Sequence, residues 1–487
     1  MLVVISDLHL NDATTGTTLE PAALALFAER LKELAFSASW RSDGYRPVER
    51  IDLLLLGDVL DLIRSARWAA LPGVRPWGNP HAPEFVEQIA RITQDILAQN
   101  EQVLAILRGL TEGEIRLPPS LRSARPAVDA EAQPVTVRLH YMVGDHDWFY
   151  HLPGPKYDAV RQALVEQLGL AARADHPLPH DAAESDELFQ VLRRHKVAAR
   201  HGDLFDPLSF EGDRDASGPN DAVAIDLVSR FATAVESTFG GELPDCTLHG
   251  LREIHNIHPP VLVPVWLERL LERTCPMPAT RKRIKTLWDR LADELLAGEF
   301  LRRRGSEGPP NLVEGLKRAL KFKGQRSVGP TDAILAWLET LRGAPCGSYH
   351  CHALAEADFR NRRAKHVVYG HTHLSEQVPL DASYAEGYVL DQVYFNAGAW
   401  CRVYSPTRFA PSPQEFIARD ALGYLAFFQG DERKGRPYET WCGTLGYRGA
   451  QTRVYRGDPG GSSPSAQGPH FLAIPANTIR LSAYRRP

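Results

Sequence analysis

Apolar residues in this chain fall into two patterns. Short continuous runs end in polar clusters, and longer stretches carry apolar residues every three or four positions. "LVVIS" (2–6) and "IDLLLLGD" (51–58) are runs of the first kind, which predict strands buried on both faces. "VTVRLHYMVGDHD" (135–147), "HKVAARHGD" (195–203) and "KHVVYGHTH" (365–373) repeat the pattern, and "DQVYFNAGAW" (391–400) and "LGYLAFF" (422–428) add two more strands. Between the first two runs, Pro21 suits a first helical turn, and Leu24, Phe27, Leu31 and Leu34 share one face. Phe85, Ile89, Ile92, Ile96, Val103 and Leu107 predict one helix over 83–108. Strands alternating with helices imply an α/β layer fold, in which functional groups gather after the carboxyl ends of strands.

From 204 to 364 strand signals are sparse. "AIDLVSRFATAVESTF", "PVWLERLLERT", "RIKTLWDRLADELLAG", "NLVEGLKRALKF" and "TDAILAWLETLRG" read as amphipathic helices. The chain therefore divides into a first core part (1–203), a helical insertion (204–364), a second core part (365–430) and a partly flexible extension (431–487) that contains "GDPGGSSPSAQGP". The 110–134 stretch reads as a surface excursion.

A length of 487 residues with 44% hydrophobic and 24% charged residues is ordinary for a globular protein of two or three domains, or of one large domain with insertions. The net charge of −4 argues against a chain built to coat nucleic acid or an anionic membrane. The N-terminus has no signal-peptide pattern, no apolar run reaches membrane-spanning length, and six scattered cysteines form no disulfide framework, so the expected location is cytoplasmic. Cys346, His350, Cys351 and His352 are close together, but their spacing fits no common zinc knuckle.

The polar clusters carry the chemistry. In order they are Asp7-x-His9, Gly57-Asp58-x-x-Asp61, Gly144-Asp145-His146-Asp147, His201 and Gly370-His371-x-His373. Seven of these side chains, Asp7, His9, Asp58, Asp145, His201, His371 and His373, are metal-ligand types, and a mixed N/O set suits Mn²⁺, Fe²⁺ or Zn²⁺ better than Ca²⁺ or Mg²⁺. Residues two apart on an extended segment point the same way. Seven ligands are too many for one metal with open positions and fit two metals sharing a carboxylate, a geometry suited to clamping a phosphate.

In that order the motifs resemble the calcineurin-like metallophosphoesterase superfamily, over roughly residues 1–205 and 365–430. The resemblance implies a four-layer β-sandwich flanked by helices, here with a large helical insertion as a cap. It implies that Asp7, His9, Asp58 and His373 hold one metal, that Asp58 bridges, and that Asp145, His201 and His371 complete a second site, with Mn²⁺ the leading choice. His146 would be the general acid and Asp61 the residue that orients it, in a phosphodiester or diphosphate hydrolysis by metal-bridging hydroxide. Family members carry Asn where this chain has Asp145. With two divalent metals (+4), three aspartates (−3) and a hydroxide (−1), the site would be near neutral. "SDLHL", "HGDLFD" and "NAGAW" are similar to the UDP-2,3-diacylglucosamine pyrophosphatases, which typically carry Arg where this chain has His146.

A metallophosphoesterase-type nuclease and a non-catalytic scaffold on the same fold are the rival readings. The acidic charge argues against the first, and retention of every histidine ligand argues against the second. The expected substrate is a phosphorylated small molecule, a nucleotide or a lipid-linked compound. The basic stretch spanning Arg281, Lys282, Arg283, Lys285, Arg302, Arg303, Arg304, Lys317, Arg318, Lys321, Lys323 and Arg326 reads first as a solvated helix face and second as a surface for polyanions or peripheral membrane contact. His255 and His258 read as structural or exposed.

Overall fold

The computed structural model describes residues 1–71, 73–307, 312–322, 330–342, 348–385, 388–407 and 415–448. Cys346, Lys323, Arg326 and the Gly/Ser/Pro segment after 450 lie outside them. The described fold is mixed α/β, about 46% helix and 20% strand.

Two sheets form its centre. The first contains β1 (Leu2–Ile5), β2 (Arg50–Leu56) and β3 (Thr136–Met142), which run parallel with Val4 opposite Leu54 and Leu54 opposite His140. The second contains β4 (Val197–Ala199), β5 (His366–Tyr369), β6 (Ser375–Ala385) and β7 (Tyr388–Ala397), in the order β6-β7-β5-β4. β8 (Arg402–Pro406) and β9 (Phe416–Phe427) return to the first sheet, where β9 pairs antiparallel with β1. β10 (Tyr438–Arg448) pairs with β9, so the sheet runs past the expected boundary at 430.

The period of two along a strand sorts the apolar runs between two cores. Leu2, Val4, Leu54, Leu56, Met142 and Phe427 join Val197, Val368 and Phe395 of the second sheet in one buried cluster. Val3, Ile5, Leu53, Leu55 and Leu139 face the other way, onto the helices α1 (Pro21–Ala38), α2 (Pro83–Gln99), α3 (Glu101–Thr111) and α4 (Pro155–Leu168). Burial on both faces explains why these strands read as unbroken apolar runs. Residues 204–364 hold a third core of their own, built around Phe231, Trp266, Trp288 and Leu316.

Two boundaries differ from the sequence reading, and two strands were not read from it. The helix expected over 83–108 is two helices, because Asn100 leaves helical geometry and its Nδ2 donates to the carbonyls of Ile96 and Asn11 at 2.8 and 2.9 Å. The fourth strand is shorter than expected, because His195 ends α5 (Asp186–His195) and Lys196 caps it in the left-handed region. The strands β6 and β8 carry too little apolar alternation to be read beforehand.

The basic positions of the insertion are largely neutralised. Arg283 pairs with Glu242, Lys285 with Glu268, Arg303 with Glu299, Arg304 with Glu211, Arg318 with Glu314 and Lys321 with Asp293. Among the described residues no helix is long and apolar enough to cross a membrane.

The inter-sheet core makes a direct prediction. Leu54 is fully buried at its centre. Leu54→Ala is expected to lower unfolding free energy by about 2–5 kcal/mol in a denaturant titration. A loss under about 1 kcal/mol would mean that the two sheets are not packed through this residue.

Candidate metal centre

Each of five parallel strands ends next to a polar cluster. β1 delivers Asp7 and His9, β2 delivers Asp58, β3 delivers Asp145 and His146, β4 delivers His201, and β5 delivers His371 and His373. All seven expected ligands come together. The ligand atoms of Asp58, Asp145, His201 and His371 lie within 4.8 Å of one another, as do those of Asp7, His9 and His373. Asp58 lies between the groups, its Oδ2 3.3 Å from His201 Nε2 and 3.6 Å from His9 Nε2.

The backbone is bent to achieve this. Asp7, His9, Asp58, His371 and His373 have φ between 47° and 65°, in the left-handed region. Each such residue stores roughly 1–3 kcal/mol that the surrounding packing must offset, and strain of this kind gathers at functional sites. Two glycines make room. A Cβ on Gly144 would run into Asp58 Oδ1 and the His201 ring, and one on Gly370 into Ser6 Oγ and Asp7 Oδ2.

Hydrogen bonds fix which nitrogen each imidazole presents. The Leu56 carbonyl can only accept, so His201 Nδ1, 2.9 Å away, carries a proton and Nε2 faces Asp58 and Asp145. His9 Nδ1 lies 2.8 Å from Asp61 Oδ2, which turns its Nε2 to within 2.9 Å of His373 Nε2. Asp7 Oδ1 is buried and accepts no hydrogen bond. Lone pairs of imidazole and carboxylate thus converge in a buried space, which is unfavourable without a proton or a cation. Burial works against a charged His201, yet Asp58 and Asp7 hold its pKa well above the ordinary value. The pull for positive charge is strong, and these nitrogen and oxygen donors are of the types that could hold a metal ion.

The cluster that follows β3, Asp145-His146-Asp147, divides into three roles. Asp145 faces the cluster, with Oδ1 3.2 Å from His201 Nε2 and 3.0 Å from His371 Nδ1. His146 stands at its edge with Nδ1 2.8 Å from Asp61 Oδ1. Burial opposes its charge, but Asp61 and then Asp58 raise its pKa well above the ordinary value. Asp147 points away and acts as a strut, accepting from Gly144 N at 2.6 Å, Val59 N at 2.8 Å and the Tyr141 hydroxyl at 2.6 Å. Asp61 also pairs with Arg64 at 2.8 Å, and despite burial His146 and Arg64 hold its carboxyl well below the usual range.

Several site residues escaped the sequence reading. Asp206 lies 3.3 Å from His371 Nε2 and is itself paired with Arg342 of the insertion. The ring centroid of His258 is 3.7 Å from that of His373, and Arg64 Nη1 donates to Asn256 at 3.2 Å. Cys401 Sγ lies 3.8 Å from His373 Nδ1. His258, read from the sequence as structural or exposed, instead lies against His373, and Asn256 follows no strand, so no local pattern marked it; His255 is buried, its Nε2 3.0 Å from Ser229 Oγ. Among the described residues Cys351 and His352 join no metal-sized group; His352 stacks on Phe205.

Compared with known proteins, the chain matches no family model and no protein of curated function.

The strut makes a test of this geometry. Asp147→Ala would strand two buried amides and a hydroxyl, each at about 1–3 kcal/mol, so a loss above about 2 kcal/mol is expected by denaturant unfolding. A change within about 0.5 kcal/mol would show that the loop does not depend on this carboxylate.

Proposed function

We propose that the chain is a metal-dependent phosphoesterase of the calcineurin-like type, hydrolysing a phosphodiester or diphosphate bond. The observation that carries this reading is the convergence of Asp7, His9, Asp58, Asp145, His201, His371 and His373, from five strand ends, into two adjoining groups with Asp58 between them. On this reading Asp7, His9, Asp58 and His373 hold one divalent ion, and Asp58, Asp145, His201 and His371 hold the other. The two facing sheets with outer helices then form the expected sandwich, and the helical insertion forms its cap. Bound metals would supply Lewis acidity toward phosphoryl oxygens and a water acidified toward neutral pH.

The protein's own groups set up the rest. Asp61 holds His146 by Nδ1, which leaves Nε2 to give a proton to the departing oxygen. His258, from the cap, covers the His373 side of the site. Pairwise cancellation of the cap's basic residues favours a substrate recognised at the site over one gathered by a cationic face. That also weighs against the nuclease reading.

Asp145 sets the charge. Asp206 and Asp61 also stand in the neighbourhood, but Arg342 and Arg64 cancel them. The count therefore stays near neutral with both metals and a hydroxide present, one unit more negative than with Asn at this position.

Three outcomes test the proposal. Protein stripped with EDTA should lose hydrolysis of bis-p-nitrophenyl phosphate and regain it with Mn²⁺; active protein free of transition metal would refute the reading. His146→Ala should cut turnover by roughly 10²–10⁴-fold, and by less for leaving groups that need no proton. An equal loss for p-nitrophenol and an alkyl alcohol would exclude His146 as the acid. At saturating metal, Asp145→Asn should shift the kcat/KM ratio toward dianionic monoesters over diesters, by about tenfold, since a unit charge in a partly buried site is worth a few kcal/mol at most. An unchanged ratio would mean that Asp145 serves only as an oxygen ligand.

A further inference from the structure

A second cluster of ligand-type side chains stands apart from the centre. His151 ends the 3₁₀ turn Trp148–His151, His180 lies in the loop between α4 and α5, and Asp215 lies near the start of the insertion. His151 Nδ1 is 2.8 Å from Asp215 Oδ1 and 3.0 Å from Oδ2, and His180 Nε2 is 2.9 Å from Oδ1. One ligand atom from each falls within the 4.8 Å sphere that a single ion spans.

Three features distinguish this group from a chance surface cluster. First, His180 is only 3% exposed, and its Nδ1 has no hydrogen-bond partner. The ring is committed to the cluster through Nε2. Second, Glu184 Oε2 lies 3.6 Å from His151 Nε2, on the far side of that ring. A carboxylate there favours the Nε2–H tautomer, which turns the Nδ1 lone pair toward Asp215; carboxylate-backed imidazoles are the usual companions of a bound metal.

Third, the charges are uneven. Among the described residues, Asp215 and Glu184 have no lysine or arginine within ion-pair distance, only the two imidazoles. The neighbouring Arg214 is engaged by Asp203 at 2.9 Å and Asp181 at 3.4 Å. Asp215 also lines a cavity of about 880 Å³ beside Trp148 and Ser217.

We propose that His151, His180 and Asp215 bind a divalent cation of the zinc class, separate from the phosphoesterase centre, which fastens the start of the helical insertion to the core. Two imidazoles and one carboxylate are a familiar zinc donor set. The three ligands come from segments far apart in sequence. A cation there links the turn after the catalytic motif, the loop before α5 and the first residues of the insertion, and so contributes to folding as structural zinc does.

The test uses full-length protein. Wild type, Asp215→Asn, His151→Gln and, as a reference, Asp58→Asn are stripped of metal, reloaded with Zn²⁺ and washed, and metal content and melting temperature are measured. Asp215→Asn and His151→Gln should each hold about one equivalent less than wild type and lose part of the zinc-dependent rise in Tm. The deficit should be present whether or not the Asp58→Asn change is combined with it. Loading with Co²⁺ should give wild type a visible tetrahedral absorption that is reduced in Asp215→Asn, the phosphoesterase centre being intact in both. If circular dichroism shows Asp215→Asn misfolded, His151→Gln carries the test. Metal content, zinc-dependent Tm shift and Co²⁺ spectrum all unchanged by both variants would overturn the proposal and leave Asp215 as a carboxylate that hydrogen-bonds two imidazoles. Because Asp58→Asn perturbs only the other centre, that outcome is distinct from a failure of the phosphoesterase reading.

Discussion

Bringing several carboxylates and imidazoles into one buried space is the constraint on which the rest depends. Asp7, Asp58 and Asp145 lie beside four histidine rings, and the orientation of His9 and His201 leaves unprotonated nitrogens facing those carboxylates unless charge is added. A buried arrangement of this kind needs compensating positive charge, from protons or from cations. The parallel strands align the five loops, the left-handed residues bend them inward, and Gly144 and Gly370 let them touch. Two hydrophobic cores hold the strand ends in place while that strain is borne.

The helical insertion is tied to this space by specific side chains. Arg342 holds Asp206 behind His371, His258 lies against His373, and Asn256 accepts from Arg64, which pairs with Asp61. Arg402 of β8 pairs with Glu253 of the insertion at 3.2 Å. Changes in the insertion therefore reach the ligands through hydrogen bonds and ion pairs. A segment with a hydrophobic core of its own thus helps shape the candidate centre.

The parts legible in the sequence were those set by local pattern. Continuous apolar runs marked β1, β2, β3 and β5, and the polar residues after them marked all seven converging ligands, because a strand end fixes where the next residues go. His258, Asp206 and Arg342 were not legible. Their positions depend on how the insertion folds back, and nothing within a few residues of each signals the contact. The break at Asn100 was hidden because apolar spacing continues through it; only its hydrogen bonds to Asn11 and Ile96 single it out. Pairing of β10 with β9 was missed because it extends a sheet whose edge the sequence does not reveal. The basic stretch looked cationic in sequence, but acids from other helices neutralise much of it.

The central claim is that two metals share Asp58. Electron paramagnetic resonance of the Mn²⁺-loaded protein tests it most directly. Two ions about 3.5–4 Å apart, the spacing of two-metal phosphoesterase sites, are exchange-coupled and give a multiline spectrum with more lines than an isolated ion. The account predicts that this spectrum appears as the second equivalent binds and disappears in Asp58→Asn. A simple six-line spectrum at every Mn²⁺ loading would contradict it.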